Sequence, residues 1–189
     1  MASSTRSRSQ DSFSDPQMAG IKLPPHSLEA EQSLIGGILL DNAAWERVAD
    51  LVNEADFYRD DHRRIYRHIA KLIDFGKPAD VVTVFESLEK SGEAEQAGGI
   101  AYLAEIANST PSAANIRRYA EIVRERGILR KLVAVGDEIA ASALAPSGKD
   151  AKLLLDEAEA KVFEIADAGA RHSSCFVSIQ PILKQVVDR

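Results

Sequence analysis

The sequence of 189 residues has a single cysteine, Cys175, so it can form neither an internal disulfide nor a Cys-x-x-Cys metal or redox pair. It also has no apolar run near the roughly 20 residues that a membrane helix needs. The opening stretch, MASSTRSRSQDSFSD, lacks the apolar core of a secretory signal. We therefore expect a cytoplasmic protein with no membrane partner, held together by packing alone.

Signatures of nucleotide-binding and hydrolytic enzymes are missing as well. A phosphate-binding loop needs Gly-x-x-x-x-Gly-Lys followed by Ser or Thr, but Gly148-Lys149 is followed by Asp150 and Gly76-Lys77 by Pro78. Neither Gly-x-Gly-x-x-Gly nor a Gly-x-Ser-x-Gly elbow occurs. The sequence thus predicts no cofactor-binding residues in this chain.

Histidines and the cysteine give no catalytic or metal site either. No two of the four histidines are spaced i, i+4, so no helix presents two imidazoles to one metal ion. We interpret Asp60-Asp61-His62 as the start of a helix with a solvated imidazole, and Cys175 has no neighbouring nucleophile signature. We expect no catalytic and no metal-binding residues, and this chain alone is not expected to be an enzyme.

The net charge of -6 argues against a surface devoted to nucleic acid, but residues 112–131 carry six basic and two acidic side chains. Arg117, Arg124 and Lys131 recur every seven residues and could contact phosphates on one helical face. Alternatively, the segment is the solvated outer face of an amphipathic helix, which Glu121 favours because it can pair with Arg117 or Arg124. The second interpretation is preferred, and a stand-alone helical DNA-binding or regulatory dimer stays the alternative function.

The pattern of apolar residues predicts a compact helical head at 23–108, after a serine-rich tail at 1–22 that we expect to be disordered. Ser27 is placed to cap the first helix, and Gly36-Gly37 within it suggests either the close approach of another backbone or fraying. Further helices are predicted after Asp41, from 60 to 75, from 81 to 90 after Asp80, and after Gly98-Gly99. No convincing alternating run of apolar and polar residues occurs, so the chain should be all-α.

A long antiparallel helical hairpin is predicted at 109–168. The segment from 112 to 144 has no proline, and its apolar stripe changes sides near Gly127. We therefore expect its two halves to pack against different partners, the first against the head. A return helix from 150 to 168 should turn six residues inward: Leu154, Leu155, Ala158, Val162, Ile165 and Ala166. Two isolated helices bury too little to be stable, so we expect the hairpin to pair with another copy.

The last residues predict a flexible linker at 169–177 and an amphipathic helix at 178–189. The apolar face of this helix comprises Ile179, Ile182, Leu183 and Val186. It has no evident core to join, so it is expected to pack against something outside this sequence.

Six short stretches, in register, closely resemble the opening of the bacterial replicative DNA helicases of the DnaB type. They are 23–37 (LPPHSLEAEQSLIGG), 56–58 (DFY), 81–84 (VVTV), 98–103 (GGIAYL), 111–116 (PSAANI) and 119–123 (YAEIV). The resemblance runs from Leu23 to the end and leaves only the tail outside.

The resemblance implies the N-terminal collar domain of a hexameric helicase, with hairpins pairing subunits into dimers and three dimers forming a trimer. It also implies that primase docks here, with a helicase loader as a further partner, and that the helix at 178–189 begins a linker helix. The RecA-like ATPase domain, with its ATP, Mg²⁺ and single-stranded DNA sites, would be absent from this chain. Three positions align with the family's docking surface, namely Tyr102, Val133 and Ile139, although plain core or hairpin packing explains each equally well.

Overall fold

A computed structural model describes residues 23–110 and 112–170, with side chains described to Asp167, and this part of the chain contains helices and no strand. The α-helices are α1 (Leu28–Leu40), α2 (Asp60–Asp74), α3 (Val81–Ser91), α4 (Gly99–Ser109), α5 (Ile116–Leu144) and α6 (Ala151–Ala170), and two short 3-10 helices span Asn42–Arg47 and Glu54–Asp56. The predicted all-α fold is confirmed. The tail at 1–22, Cys175 and the face of Ile179, Ile182, Leu183 and Val186 lie outside the described residues.

Helix α1 is the centre of the head. It is capped by Ser27, whose hydroxyl accepts from the backbone N–H of Ala30 at 3.4 Å, and it packs against α4 and α5. A methyl group added to Gly36 would lie 2.7 Å from the carbonyl oxygen of Ile106 and would collide with Oγ1 of Thr110. The expected close approach of another backbone is therefore confirmed, and α1 does not fray at this pair.

The segment after α1 differs from the prediction. Asp41 does cap a helix, with its carboxylate accepting from the N–H of Ala43 at 3.0 Å, but that helix is of the 3-10 type and ends at Arg47. The Asn42 side chain donates to the carbonyls of Ile38 and Ala79 and accepts from the N–H of Ala79. These bonds tie the segment to the loop before α3. The segment itself forms a 3-10 helix instead of the predicted regular helix.

Helices α2 and α3 complete the head as predicted. Ile65 and Ile69 of α2 are fully buried, as are Val84 and Leu88 of α3. The Asp80 carboxylate accepts from the N–H of Thr83 at 2.9 Å, and the Thr83 hydroxyl accepts from the N–H of Asp80, so the predicted cap of α3 is a reciprocal capping box.

Helix α5 is one continuous helix whose two halves have different partners. Ile116, Ala120 and Val123 are buried in the head core. Beyond Gly127 the helix packs against α6, and Lys161 of α6 binds Glu138 of α5 at 2.8 Å. The predicted change of partner along this helix is confirmed.

The inward face predicted for α6 is only partly correct. Leu155 is 68% exposed and Val162 46% exposed, together with Phe163 at 69%. Within the described residues α6 packs mainly against α5, and one neighbouring helix covers only a narrow stripe of another. The remaining apolar side chains of α6 are left uncovered.

Candidate functional site

Tyr102, one of the three docking positions taken from the resemblance, is held by a chain of hydrogen bonds that starts in the core. Its hydroxyl lies 2.7 Å from Nε2 of His62, and Nε2 of Gln32 donates to it at 3.3 Å. On the other side of the imidazole, Nδ1 of His62 lies 2.6 Å from Oε2 of Glu31. The three side chains connect α1, α2 and α4.

Glu31 is a buried carboxylate whose acceptor capacity is used by the surrounding protein. It accepts from the backbone N–H of Tyr58 at 2.6 Å and from that of Arg59 at 3.4 Å, in addition to its contact with His62. A buried charge requires such partners to offset the loss of water. Glu31 therefore fixes both the loop before α2 and the imidazole of His62.

The ring of Tyr102 is fixed from two further directions. The guanidinium carbon of Arg59 lies 5.4 Å from the ring centroid, and this guanidinium pairs with the carboxylate of Asp61. Gly98, at φ +86°, packs so closely that a methyl group there would lie 2.8 Å from the ring. Burial raises the pKa of the Tyr102 hydroxyl, so it keeps its proton at neutral pH. Tyr102 thus presents one defined geometry at the head surface.

The expectation of a solvated imidazole at His62 is wrong, because the side chain is fully buried. Its spacing to Ile65 and Ile69 places all three on the buried face of α2. The spacing of His62 to Ile65 and Ile69 is the feature of the sequence that indicates its burial. No local pattern around Glu31 indicates that its carboxylate is the partner of His62.

Val133 and Ile139 lie on the part of α5 beyond the junction with the head. Val133 is 53% exposed, and Ile139 is half-buried beside Leu154 and Ala158 of α6. Val133 is available to a partner, while Ile139 contributes in part to hairpin packing. The structure places these two positions on the hairpin and Tyr102 on the head.

The basic segment of α5 fastens this helix to the head. Nη1 of Arg124 donates to the carbonyl of Leu51 at 3.0 Å, and Arg130 donates to the carbonyls of Pro25 at 2.7 Å and Asp56 at 2.5 Å. Burial lowers the pKa of Arg130. Neither interpretation made from the sequence, a phosphate contact or a solvated face, fits Arg124 and Arg130.

Other basic residues of the same segment behave differently. Lys131 lies 3.5 Å from the buried carboxylate of Asp56, next to the close contact of Asp56 with Gly127. Arg117 and Arg118 are largely exposed and pair with Glu121. The preferred interpretation of a solvated face therefore holds for Arg117 and Arg118 only.

The described ranges, 23–110 and 112–170, contain no cluster of three or more His, Cys, Asp or Glu side chains that could hold a metal ion. None of their helices is long and apolar enough to cross a membrane.

The helical head with its buried polar side chains and the hairpin with its exposed apolar side chains define the class of this protein as an all-helical module. The profile of the family "DnaB-like helicase N terminal domain" matches residues 23–125. The replicative DNA helicase DnaB of Haemophilus influenzae is 42% identical over 183 residues, which are 97% of this chain and 39% of that protein. The chain belongs to the DnaB-like helicase N-terminal domain family.

Solved structures agree with this assignment. The crystal structure of the N-terminal domain of DnaB helicase from Mycobacterium tuberculosis is similar with a TM-score of 0.73 and 38% identity, over 75% of this chain and 99% of that one. A structure of a DnaB-like replicative helicase and its interactions with primase shares the fold, with a TM-score of 0.60 and 20% identity over 86% of this chain and 35% of that one. The chain spans about 39% of the length of the Haemophilus relative.

Proposed function

We propose that this chain is the collar domain of a hexameric replicative DNA helicase, where it assembles subunits and docks primase. The observation that carries the proposal is the uncovered apolar surface of the hairpin. The exposed large apolar side chains of the hairpin are Leu132 at 42%, Val133 at 53%, Leu144 at 87%, Leu153 at 46%, Leu155 at 68%, Val162 at 46% and Phe163 at 69%. Leu155, Val162 and Phe163 line one shallow groove on α6, and an exposed apolar surface of this kind is typical of an interaction site.

The first occupant of the hairpin surface is a second copy of the chain. The exposed side chains of α6 recur at helical spacing, so two hairpins can bury them against each other, and three such dimers form the collar of the hexamer. Pairing also supplies the apolar burial that one hairpin lacks.

Solution mass tests this assembly. We expect sedimentation equilibrium to show dimers or larger species, and Phe163→Glu to shift the distribution to monomers. Phe75→Glu is the matched control, since Phe75 is 71% exposed but lies on the head. Monomeric wild type at high concentration, or equal effects of the two variants, would contradict pairing through the hairpin.

Primase is the second proposed occupant, through Tyr102, Val133 and Ile139. Support comes from the family and from the related helicase whose structure includes interactions with primase. Val133→Glu should weaken primase binding about tenfold or more, because a charge is then buried in the interface. Val82→Glu is the control, at a valine of α3 that is 58% exposed. Normal primase binding by a folded, dimeric Val133→Glu protein would refute the assignment, and charge replacement at Ile139 tests it independently.

The remaining functions belong to the whole helicase. ATP hydrolysis with Mg²⁺ and movement along single-stranded DNA are proposed for its ATPase domain, with a helicase loader as a further partner in the cytoplasm. The residues at 178–189 would begin the linker helix to that domain.

The alternative of a DNA-binding dimer is disfavoured by the use of Arg124 and Arg130 in fastening α5 to the head. A titration of this chain with single- and double-stranded oligonucleotides at moderate salt discriminates the two functions. We expect weak binding to both, whereas tight and salt-sensitive binding would favour the alternative.

A further inference from the structure

Glu31 determines which nitrogen of His62 carries a proton. An ionised carboxylate only accepts hydrogen bonds, and the other two contacts of Glu31 are backbone N–H donors. At 2.6 Å from Oε2, Nδ1 of His62 is therefore the donor. In the neutral form of the ring the bond made by one nitrogen sets the role of the other, so the neutral imidazole directs the lone pair of Nε2 at Tyr102.

This tautomer fixes the direction of the next bond in the chain. The Tyr102 O–H donates inward to Nε2 of His62 at 2.7 Å, while the amide of Gln32 donates to the phenolic oxygen at 3.3 Å. A hydroxyl has one proton and two lone pairs. The Tyr102 hydroxyl can therefore still accept one hydrogen bond from a partner, but it cannot donate one.

We propose that Tyr102 is an acceptor-only contact of the docking face, that the docked protein supplies an N–H or O–H donor to its oxygen, and that Glu31 and His62 are the positioning residues that impose this polarity. The inference rests on the proposed function, since it assumes that primase docks at Tyr102. The charged groups near this hydroxyl, Arg59, Asp61 and Glu105, come from α4 and the start of α2. They do not hydrogen-bond to the phenolic oxygen.

Glu31→Gln tests the polarity without changing a surface side chain, although it also removes the acceptor of the Arg59 backbone N–H, which lies 3.4 Å from Oε2 of Glu31. The Gln carbonyl can still accept from the N–H of Tyr58, and its amide then points at Nδ1 of His62, which must accept. The imidazole proton moves to Nε2, and the Tyr102 O–H is displaced outward. The variant therefore replaces an acceptor by a donor at the docking face.

A double-mutant cycle with primase gives the decisive readout, using the 189-residue chain. Tyr102→Phe and Glu31→Gln should each weaken binding about fivefold, the size of one neutral hydrogen bond. The double variant should bind as Tyr102→Phe does, within about twofold, because the effect of Glu31 acts through the hydroxyl. Additive losses would mean that Glu31 has a purely structural role and would overturn the inference.

Nitrogen NMR of the His62 ring provides a measurement that is independent of primase and of the variants' stability. We expect Nδ1 protonated and Nε2 unprotonated in the wild type at neutral pH. A proton on Nε2 would overturn the inference even if primase binds. Failure of Tyr102→Ala to affect primase binding, with the expected tautomer present, would instead overturn docking at Tyr102 and leave the locked hydroxyl supported.

Discussion

Two glycines inside helices differ in what an added methyl group would meet. At Gly36 it would collide with Thr110 and the Ile106 carbonyl, whereas at Gly136 no atom lies within 4 Å. We expect Gly36→Ala to lower the free energy of unfolding by about 1–3 kcal/mol. Gly136→Ala should raise it by up to about 1 kcal/mol, through better helix propensity. Urea denaturation measures both, and equal stabilisation by the two changes would contradict the close packing of α1 on α4.

The carboxylate of Glu93 makes the stability of the head depend on pH. A hydrogen bond from His68, followed by bonds from Arg67, lowers its pKa from 4.5 to about 2. Because the folded pKa lies below the unfolded one, the stabilisation is present above about pH 4.5 and is lost as the pH falls towards 2.

Comparison with Glu93→Gln isolates this effect. The difference in free energy of unfolding between wild type and variant should be constant at neutral pH and should shrink below about pH 4.5. Thermal unfolding over a pH series provides the measurement. A difference that stays constant down to pH 3 would show that Glu93 is not stabilised in its charged form.

Helix α5 is joined to the head by side chains that bind carbonyl oxygens. Arg130→Ala leaves the carbonyls of Pro25 and Asp56 without this donor and should destabilise the protein by about 1–3 kcal/mol. Arg118→Ala removes an exposed pair with Glu121 and should change stability by less than about 1 kcal/mol. Chemical denaturation of both variants tests the difference, and a larger loss at Arg118 would refute the anchoring role of Arg130.

Helical periodicity predicted most of the helices, because the buried faces of α2, α3 and α5 appear in the sequence as apolar residues at helical spacing. It failed at Asn42–Arg47, which is a short 3-10 helix whose first side chain, that of Asn42, bonds to Ala79 in the loop before α3. The roles of Arg124 and Arg130 were also missed. Their acceptors are backbone carbonyls 73 to 105 residues away, and any residue type provides a carbonyl.

The site was predictable to the same limited extent. Tyr102, Val133 and Ile139 were predicted through the family resemblance, and as docking residues they stay predictions. The buried contacts of Tyr102 with His62 and of His62 with Glu31 were not predicted, since the bonded residues are 40 and 31 positions apart and no local pattern connects them. The exposure of Leu155 and Val162 was not predicted either, because it depends on how many helices pack against α6.

Stability should be distributed unevenly between the head and the hairpin. Fully buried residues such as Leu34 and Phe57 lie in the head, whereas α6 has no residue classed as buried among its described side chains. Hydrogen exchange should therefore be slow in α1 and fast in α6. Protection of α6 should rise with protein concentration if hairpins pair, and concentration-independent exchange there would contradict pairing.

Glycine at position 127 allows α5 to lie close against the head, since a methyl group there would lie 2.9 Å from Oδ1 of Asp56. Helix α5 continues from this point to Leu144, a distance of about 26 Å at 1.5 Å per residue. A tilt of about 10° at this contact would move the far end of α5 by about 4 Å. A larger side chain at position 127 should therefore shift the exposed residues at the tip of the hairpin relative to the head.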